Sequence, residues 1–364
     1  MDRISELPEP ILQHILSFLP FKQVFQCAIL AKRWKHVWST FPILRFDQTY
    51  FNSLSKIAKG RDVWLKRGDL YSFVEKNLES RRTQRLLVKN FTLSDRWGRQ
   101  KSASRVDRWL SFALESNVEE RNLGFERLMA IGIEENRDLE RVELEAPNLC
   151  SVHIVQTSCE INLVHCKNLK KLKLQACITD DWLNDHLSEL PLIETLELTC
   201  CSLLKRIEIS SDQLKSLALL ACWNLVEVKL DAPKLCRFNH YTRSVISLSS
   251  SNALNLSVAT YGMISREDPW NVKKIEFLSK LSNSKLLSLS LQSAENAIIP
   301  KRLRKTVSSP AYNVKHLHLF LSSPLSFTRY AIGELVDSLL WISPLLDILT
   351  IEAGSIYKPD DYEL

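Results

Sequence analysis

From residue 139 onward the chain returns again and again to one short pattern, Leu-x-x-Leu-x-Leu, and no other feature narrows the possible folds as much. The clear early copies are Leu139, Val142, Leu144; Leu149, Val152, Ile154; Leu169, Leu172, Leu174; Ile193, Leu196, Leu198; Leu204, Ile207, Ile209; Leu214, Leu217, Leu219; and Leu225, Val228, Leu230. Leu286, Leu289, Leu291 and Leu346, Leu349, Ile351 are as regular, whereas Leu235 with Phe238, and Val314 with Leu317 and Leu319, are weaker. Apolar residues alternate within each unit, so each is a short strand with one buried face. Units starting at 149, 169, 193, 214 and 235 are 20 to 24 residues apart. At that period a single repeat cannot cover its own apolar row and must stack on its neighbours, which makes a solenoid. The copies at 204 and 225 fall halfway between and read as strands on the outer side, so that successive turns run strand, corner, strand, corner.

The long interval from 169 to 193 holds TDDWLNDHLSEL. It reads as a short helix, with Thr179 as cap, Asp180 and Asp181 at its positive end, and Trp182, Leu187 and Leu190 pointing in. Later, DPWNVKKIEFLSKLSN reads as a helix capped by Asp268, with Pro269 in its first turn and Ile275, Leu278 and Leu281 inward. FTRYAIGELVDSLLWIS is helical too. Three units continue to Cys177, Cys201 and Cys222, the Leu-x-x-Leu-x-Leu-x-x-Cys form that resembles a leucine-rich repeat, in which such a cysteine packs inside the turn. Two places resist a single frame. Ile161, Leu163 and Cys166 compete with the units at 149 and 169, and Arg121 stands in NVEERNLGF where a first repeat would hold a Leu; between 241 and 285 the pattern lapses.

Ahead of the repeats, residues 2–47 read as three short helices. Ile11, Leu12, Ile15, Leu16 and Leu19 share one helical face, with Pro8 and Pro10 suited to the opening turn and Pro20 stopping it. A second run holds Val24, Phe25, Cys27, Ala28 and Leu30. In the third, Trp34 and Trp38 lie one turn apart with Arg33, Lys35 and His36 among them. So few residues bury little on their own, and such apolar surface calls for a partner or the next domain. The order Leu7-Pro8, then ILSFLP, then LAKRW, then Val37-Trp38 closely resembles the plant F-box motif, and the chain as a whole resembles the plant F-box proteins with leucine-rich repeats.

That resemblance implies an α/β chain: a small three-helix F-box at 2–47, a connector and cap at 48–117, and at 118–364 a curved leucine-rich-repeat solenoid with a parallel concave sheet. It implies a substrate-recognition subunit of a ubiquitin ligase of the Skp, cullin and F-box type, in which the F-box grips the Skp-type adaptor, and through it cullin, while the solenoid holds a protein target. Leu7, Pro8, Ile15, Leu16, Leu30, Arg33, Trp34 and Trp38 are then the expected adaptor contacts; Trp38 is equally suited to packing on the connector. The repeat pattern puts Lys171, Lys173, Thr195, Glu197, Ser216, Ala218, Arg237 and Asn239 on the concave surface, facing a target whose identity is unreadable. The open alternative is a scaffold or inhibitor in which F-box-like helices merely cap the solenoid. Relatives often carry a further small C-terminal domain after a strand like LLDILTIEAGS; none is expected within the residues up to Leu364.

Composition closes off other classes. The net charge of +6 could suggest nucleic acid, but Lys and Arg are dispersed among 42 acids rather than gathered on one element. The most basic section lies within 48–117, where a solvated face is the plainer reading than an anion site. Nine scattered cysteines without a C-x-x-C pair argue for reduced thiols, hence cytosol or nucleus. The N-terminus is helical module rather than signal peptide, and the most apolar late run is interrupted by Asp337, Pro344 and Asp347, so no membrane span is expected. Lys301, Arg302, Arg304 and Lys305 fit either a nuclear-import signal or a solvated loop. The eight glycines do not cluster into a phosphate loop, and no nucleophile elbow or zinc-protease motif occurs. His316 and His318 alternate on one strand and lack a third ligand, so neither metal, cofactor nor catalysis is expected.

Overall fold

The computed structural model describes residues 4–19, 23–24, 27, 32–47, 67–84, 86, 88, 90–94, 108–109, 111–112, 130–134, 141–144, 146, 149–157, 160–243, 245–251, 254, 256–263, 270–322 and 329–354. They fall into two compact units, Met1–Leu169 and Lys170–Leu364.

In the first unit a 3-10 turn at Ile4–Glu6 leads into α1 (Glu9–Ser17), followed by α2 (Lys32–Thr40). Pro8 occupies the N-cap position of α1 and Pro10 its first turn, where a missing N–H costs nothing. Gln23, Val24 and Cys27 are helical; Pro20 and Leu30 lie outside the described residues. Leu12 and Leu16, one turn apart, form a core with Val24, Trp34, Val37 and Phe41. A polar clasp closes this module at one side: Glu9 Oε1 accepts from Thr40 Oγ1 and from Gln13 Nε2 at 3.2 Å, and Gln13 Nε2 also reaches Thr40 Oγ1 at 3.1 Å.

Directly after Phe41 the chain becomes β1 (Ile43–Asp47), which pairs in parallel with β2 (Asn90–Ser94) across the helix α3 (Arg67–Thr83). β2 pairs with β3 (Ala130–Glu134), and β3 with β5 (Ser151–Thr157). The parallel ladder thus starts at Ile43, inside the stretch read from sequence as helical module. The competing copies resolve cleanly. β4 (Arg141–Glu143) and β6 (Glu160–Asn162) pair with each other in a separate two-stranded sheet, so the units at 139 and 161 are outer strands and the unit at 149 is inner. The place of Arg121 lies outside the described residues.

The second unit holds β7 (Lys171–Ala176), α4 (Asp180–Ser188), β8 (Thr195–Thr199), β9 (Arg206–Ser210), β10 (Ser216–Leu220), β11 (Glu227–Asp231), β12 (Arg237–Thr242), β13 (Ser247–Ser250), β14 (Val258–Met263), α5 (Val272–Lys280), β15 (Leu286–Leu291), α6 (Lys301–Arg304), β16 (His316–Leu321), α7 (Arg329–Ile342) and β17 (Ile348–Ala353). Strands β7, β8, β10, β12, β14, β15, β16 and β17 form one all-parallel sheet in that order, and β13, β11 and β9 form the outer sheet expected from the copies at 204 and 225. Leu172, Leu196, Leu217, Phe238, Ala259, Leu287 and Leu317 stand in register and are all fully buried. Burying such a row is what holds one repeat to the next, at roughly 1.5–3 kcal/mol per large side chain.

Corners follow local chemistry. Thr179 accepts from the Trp182 N–H and starts α4, while Asp180 accepts from the Lys205 and Arg206 N–H groups at 2.7 and 3.1 Å, fastening α4 to the first outer strand. Leu183 and Leu190 are buried; Trp182 is only partly so and stacks on His186. Asn271, not Asp268, caps α5, by accepting from the Lys274 N–H; Asp268 and Pro269 lie outside the described residues. Cys201 and Cys222 are buried with thiols directed at the Leu174 and Leu198 carbonyls, and Cys166 does the same toward Leu144. Burial pushes the Cys166 thiol up to about 11, so it stays protonated. Cys177 is exposed: the helical corner hands its inward place to Ile178.

Three strands of the second unit escape the sequence frame: β13, β14 and β15. β14 fills the lapse between 241 and 285, with Leu256, Ala259 and Tyr261 where the pattern wants Leu. At β15 the apparent Leu286, Leu289, Leu291 is slipped by two residues. Leu287 and Leu289 pair with Leu317 and Leu319, and the first place of the motif falls to Ser284, whose buried hydroxyl donates to the Leu281 carbonyl. A slip of two leaves every side chain on its original face.

Candidate functional site

Two surfaces have the makings of interaction sites. The first is the outside of the N-terminal helical module. Helical geometry that turns Leu12 and Leu16 inward turns Pro8, Ile11, Ile15 and Phe18 to the neighbouring stripe. There Pro8 is exposed, Ile15 is half-buried, and Ile11 and Phe18 are 46% and 74% exposed. Ile4, at the preceding turn, is exposed as well. Phe18 meets the His14 ring edge to face, at 4.8 Å between centroids.

The residues expected from sequence divide between this surface and the core beneath it. Leu16 and Trp34 belong to the core; they support the surface rather than form it. Leu7 is half-buried against that core, and its carbonyl accepts from the Arg33 guanidinium, which is otherwise exposed. Trp38 is half-buried and lies 6.4 Å from Phe73 of α3. Its carbonyl accepts from Arg81 Nη2 at 3.3 Å, and burial lowers that guanidinium to about 10. Leu30 lies outside the described residues. Sequence reasoning missed Ile4, Ile11 and Phe18 as surface: periodicity gathers Ile11 with Leu12 and does not say how wide an apolar stripe the core can cover.

The second surface is the open face of the eight-stranded sheet, opposite its buried rows. Register brings the expected residues together in lines. Lys171, Thr195, Ser216 and Arg237 stand side by side, as do Lys173, Glu197, Ala218 and Asn239. Lys173 Nζ and Glu197 Oε2 are 3.0 Å apart. Farther along, His316 Nε2 meets Thr350 Oγ1 at 3.0 Å, while His318 lies between Ser288 and Glu352, each at 3.4 Å. Tyr241 lies over Gly262 so closely that a Cβ there would sit 1.7 Å from its ring; only glycine admits the overlap. Among the described residues no group of three or more His, Cys, Asp or Glu could hold a metal ion, and no helix is long and apolar enough to cross a membrane.

A short helical module followed by stacked parallel strands with outer strands and helices defines the class, a leucine-rich-repeat protein with an N-terminal F-box. Family models agree: an F-box domain matches residues 4–46, and the leucine-rich-repeat domain of the At1g61320/AtMIF1 type matches residues 81–359. The chain belongs to the plant F-box/LRR-repeat family with repeats of that type. F-box/LRR-repeat protein At3g03360 of Arabidopsis thaliana is 26% identical over 99% of this chain and 73% of its own length. F-box/LRR-repeat protein 25 of Arabidopsis thaliana is 30% identical over 57% of this chain and 72% of its own. At5g02930, from the same plant, is 28% identical over 72% of this chain, and the match spans 53% of its length.

Proposed function

We propose that this chain is a substrate-recognition subunit of a Skp-cullin-F-box type ubiquitin ligase. The F-box match over 4–46, falling on a helical module with an uncovered apolar stripe, carries the reading. F-box domains bind Skp1-type adaptors, and the stripe of Pro8, Ile11, Ile15 and Phe18 is the surface offered here, flanked by Leu7 and Arg33. Trp34 and Leu16 act from beneath by fixing α1 against α2. The open face of the repeats, with Lys171, Lys173, Thr195, Glu197, Arg237 and Asn239, holds the target protein. Holding adaptor and target on one chain raises the effective concentration of target lysines near the ubiquitin-charged enzyme, so the chain contributes position and other subunits the chemistry.

Co-purification with a Skp-type adaptor from plant cells tests the first half. Affinity capture under proteasome inhibition, comparing the full chain with a variant lacking residues 2–40, which keeps β1 (Ile43–Asp47) in the sheet, tests the second: targets accumulate on the truncated form. A full chain that retrieves no adaptor points instead to a scaffold, in which these helices only cap the repeats.

A further inference from the structure

We infer that the open face of the second unit recognises an extended target segment in which acidic residues alternate with apolar or aromatic ones. The inference rests on the target-binding reading above and deepens it.

Its observation is an uneven division of chemistry along the strands. At the strand-start side Lys171 and Arg237 stand on the open-face register line, and Lys170, Lys215, Lys285 and Lys315 occupy the corner positions just before their strands, all exposed or half-exposed. Glu194 and Asp347 are the acids at those corner positions, and Glu194 is taken up by Lys215 at 2.6 Å, which lowers its carboxyl below the usual range. In the middle line Lys173 and Glu197 cancel each other. The strand-end line is uncharged from Gln175 through Leu220, Tyr241 and Gly262 to Phe320, with Glu352 as its one acid. Tyr241 laid flat over Gly262 makes a shelf there. Most cations therefore border one side of the face and aromatic surface the other, where Arg243, just past β12, stacks over Trp223 at 4.6 Å.

An extended peptide lying across the strands points successive side chains to opposite sides. Acids at every second position would meet the basic border, and apolar residues between them would meet the shelf. The face is long enough: β7 to β16 is six strand spacings, about 29 Å, or roughly nine extended residues. A single-stranded nucleic acid fits less well, because its recognition wants aromatics interleaved with cations along one groove, whereas here the strand-start cations lie apart from Tyr241 and Phe320, and the Arg243–Trp223 pair at the strand-end corner is a single stack.

Fluorescence anisotropy of the full chain tests this with a labelled 12-residue peptide alternating Glu and Phe, its Gln-for-Glu isomer, and a single-stranded oligonucleotide. The Glu peptide is expected to bind at least about tenfold more tightly than the Gln isomer, with the advantage shrinking as salt rises from about 50 to 300 mM. Lys171→Glu with Arg237→Glu should erase the preference, and Tyr241→Ala should weaken both peptides alike. Circular dichroism and adaptor binding should stay unchanged in these variants. Equal affinity for the two peptides, tighter binding of the oligonucleotide, or no peptide binding while the adaptor still binds would each overturn the inference. Loss of adaptor binding by the unaltered chain would instead remove the ligase reading, leaving the peptide preference to be judged by the same titrations.

Discussion

Lys173 on β7 and Glu197 on β8 meet across the open face with Nζ and Oε2 3.0 Å apart, so two residues expected to face a target are engaged with each other. Both side chains are largely covered, at 24% and 20% exposure. Removing either partner leaves the other charge half-desolvated, and Lys173→Met or Glu197→Gln should each cost about 1 kcal/mol. The double variant should recover most of that. Urea denaturation of the four proteins measures the coupling; additive losses would mean the two side chains act independently.

His240 makes stability depend on pH. It is buried on β12 among Phe238, Tyr261 and Phe277, and neither ring nitrogen makes a hydrogen bond of normal geometry. Burial lowers its pKa to about 4, and the Leu219 backbone nearby only partly opposes this. Well above pH 6.5 the ring is neutral folded or unfolded, and nothing is lost. As pH falls from about 6.5 to about 4, only the unfolded chain takes up the proton, so stability drops, by about 2 kcal/mol at pH 5. His240→Phe should remove that part of the pH dependence. Parallel denaturation curves at pH 7.5 and pH 5 for both proteins check it, and the variant should lose less.

Arg304, within the basic run at 301–305, is held by its own neighbours. Its side chain is 10% exposed, with Nε donating to the Ile299 carbonyl at 2.9 Å, Nη1 2.6 Å from Asp337 and Nη2 donating to Ser338 Oγ. Lys301 reaches toward Glu334 at 4.0 Å. The central cation of the run is thus a clamp between α6 and α7, not a solvated handle. Arg304→Ala should lower stability by about 2–3 kcal/mol, and Arg304→Lys should restore little, because a point charge cannot replace the planar fork. Thermal unfolding reads both.

Cys200 and Ala221 hold positive φ angles of 52° and 54° at equivalent corners of neighbouring strands. A side chain in that conformation costs roughly 1 kcal/mol relative to glycine, partly offset by the freedom glycine adds to the unfolded chain. Ala221→Gly should therefore leave stability unchanged or raise it by up to about 1 kcal/mol, and Ala221→Val should lower it. Differential scanning calorimetry distinguishes them.

The repeats were legible where Leu fills every framework place, because a strict alternation leaves one way to bury the row. Even the outer strands at 204 and 225 could be read, from their half-period spacing. β14 escaped because Ala259 and Tyr261 do the work of Leu, and β15 was misread by two because Leu286 and Leu291 flank the true pair. Cys177 looked like Cys201 and Cys222, but a helix follows it and the inward place moves on to Ile178. At the N-terminal module, motif order located the helices and could not separate core from surface. Leu16 and Trp34 went inside, while Ile11 and Phe18, neighbours in the same pattern, stayed out. That partition depends on how α2 crosses α1, a tertiary fact.

The outer stripe of α1 is where the central claim is most directly measured. Titration calorimetry of a Skp-type adaptor into the full chain, and into the Ile11→Glu, Phe18→Glu variant, compares affinities while circular dichroism verifies that the helices persist. Both residues lie outside the core, so folding should be unaffected, and loss of two anchors should weaken binding by about 100-fold or more. An adaptor that binds both proteins with the same affinity would contradict the assignment of this surface.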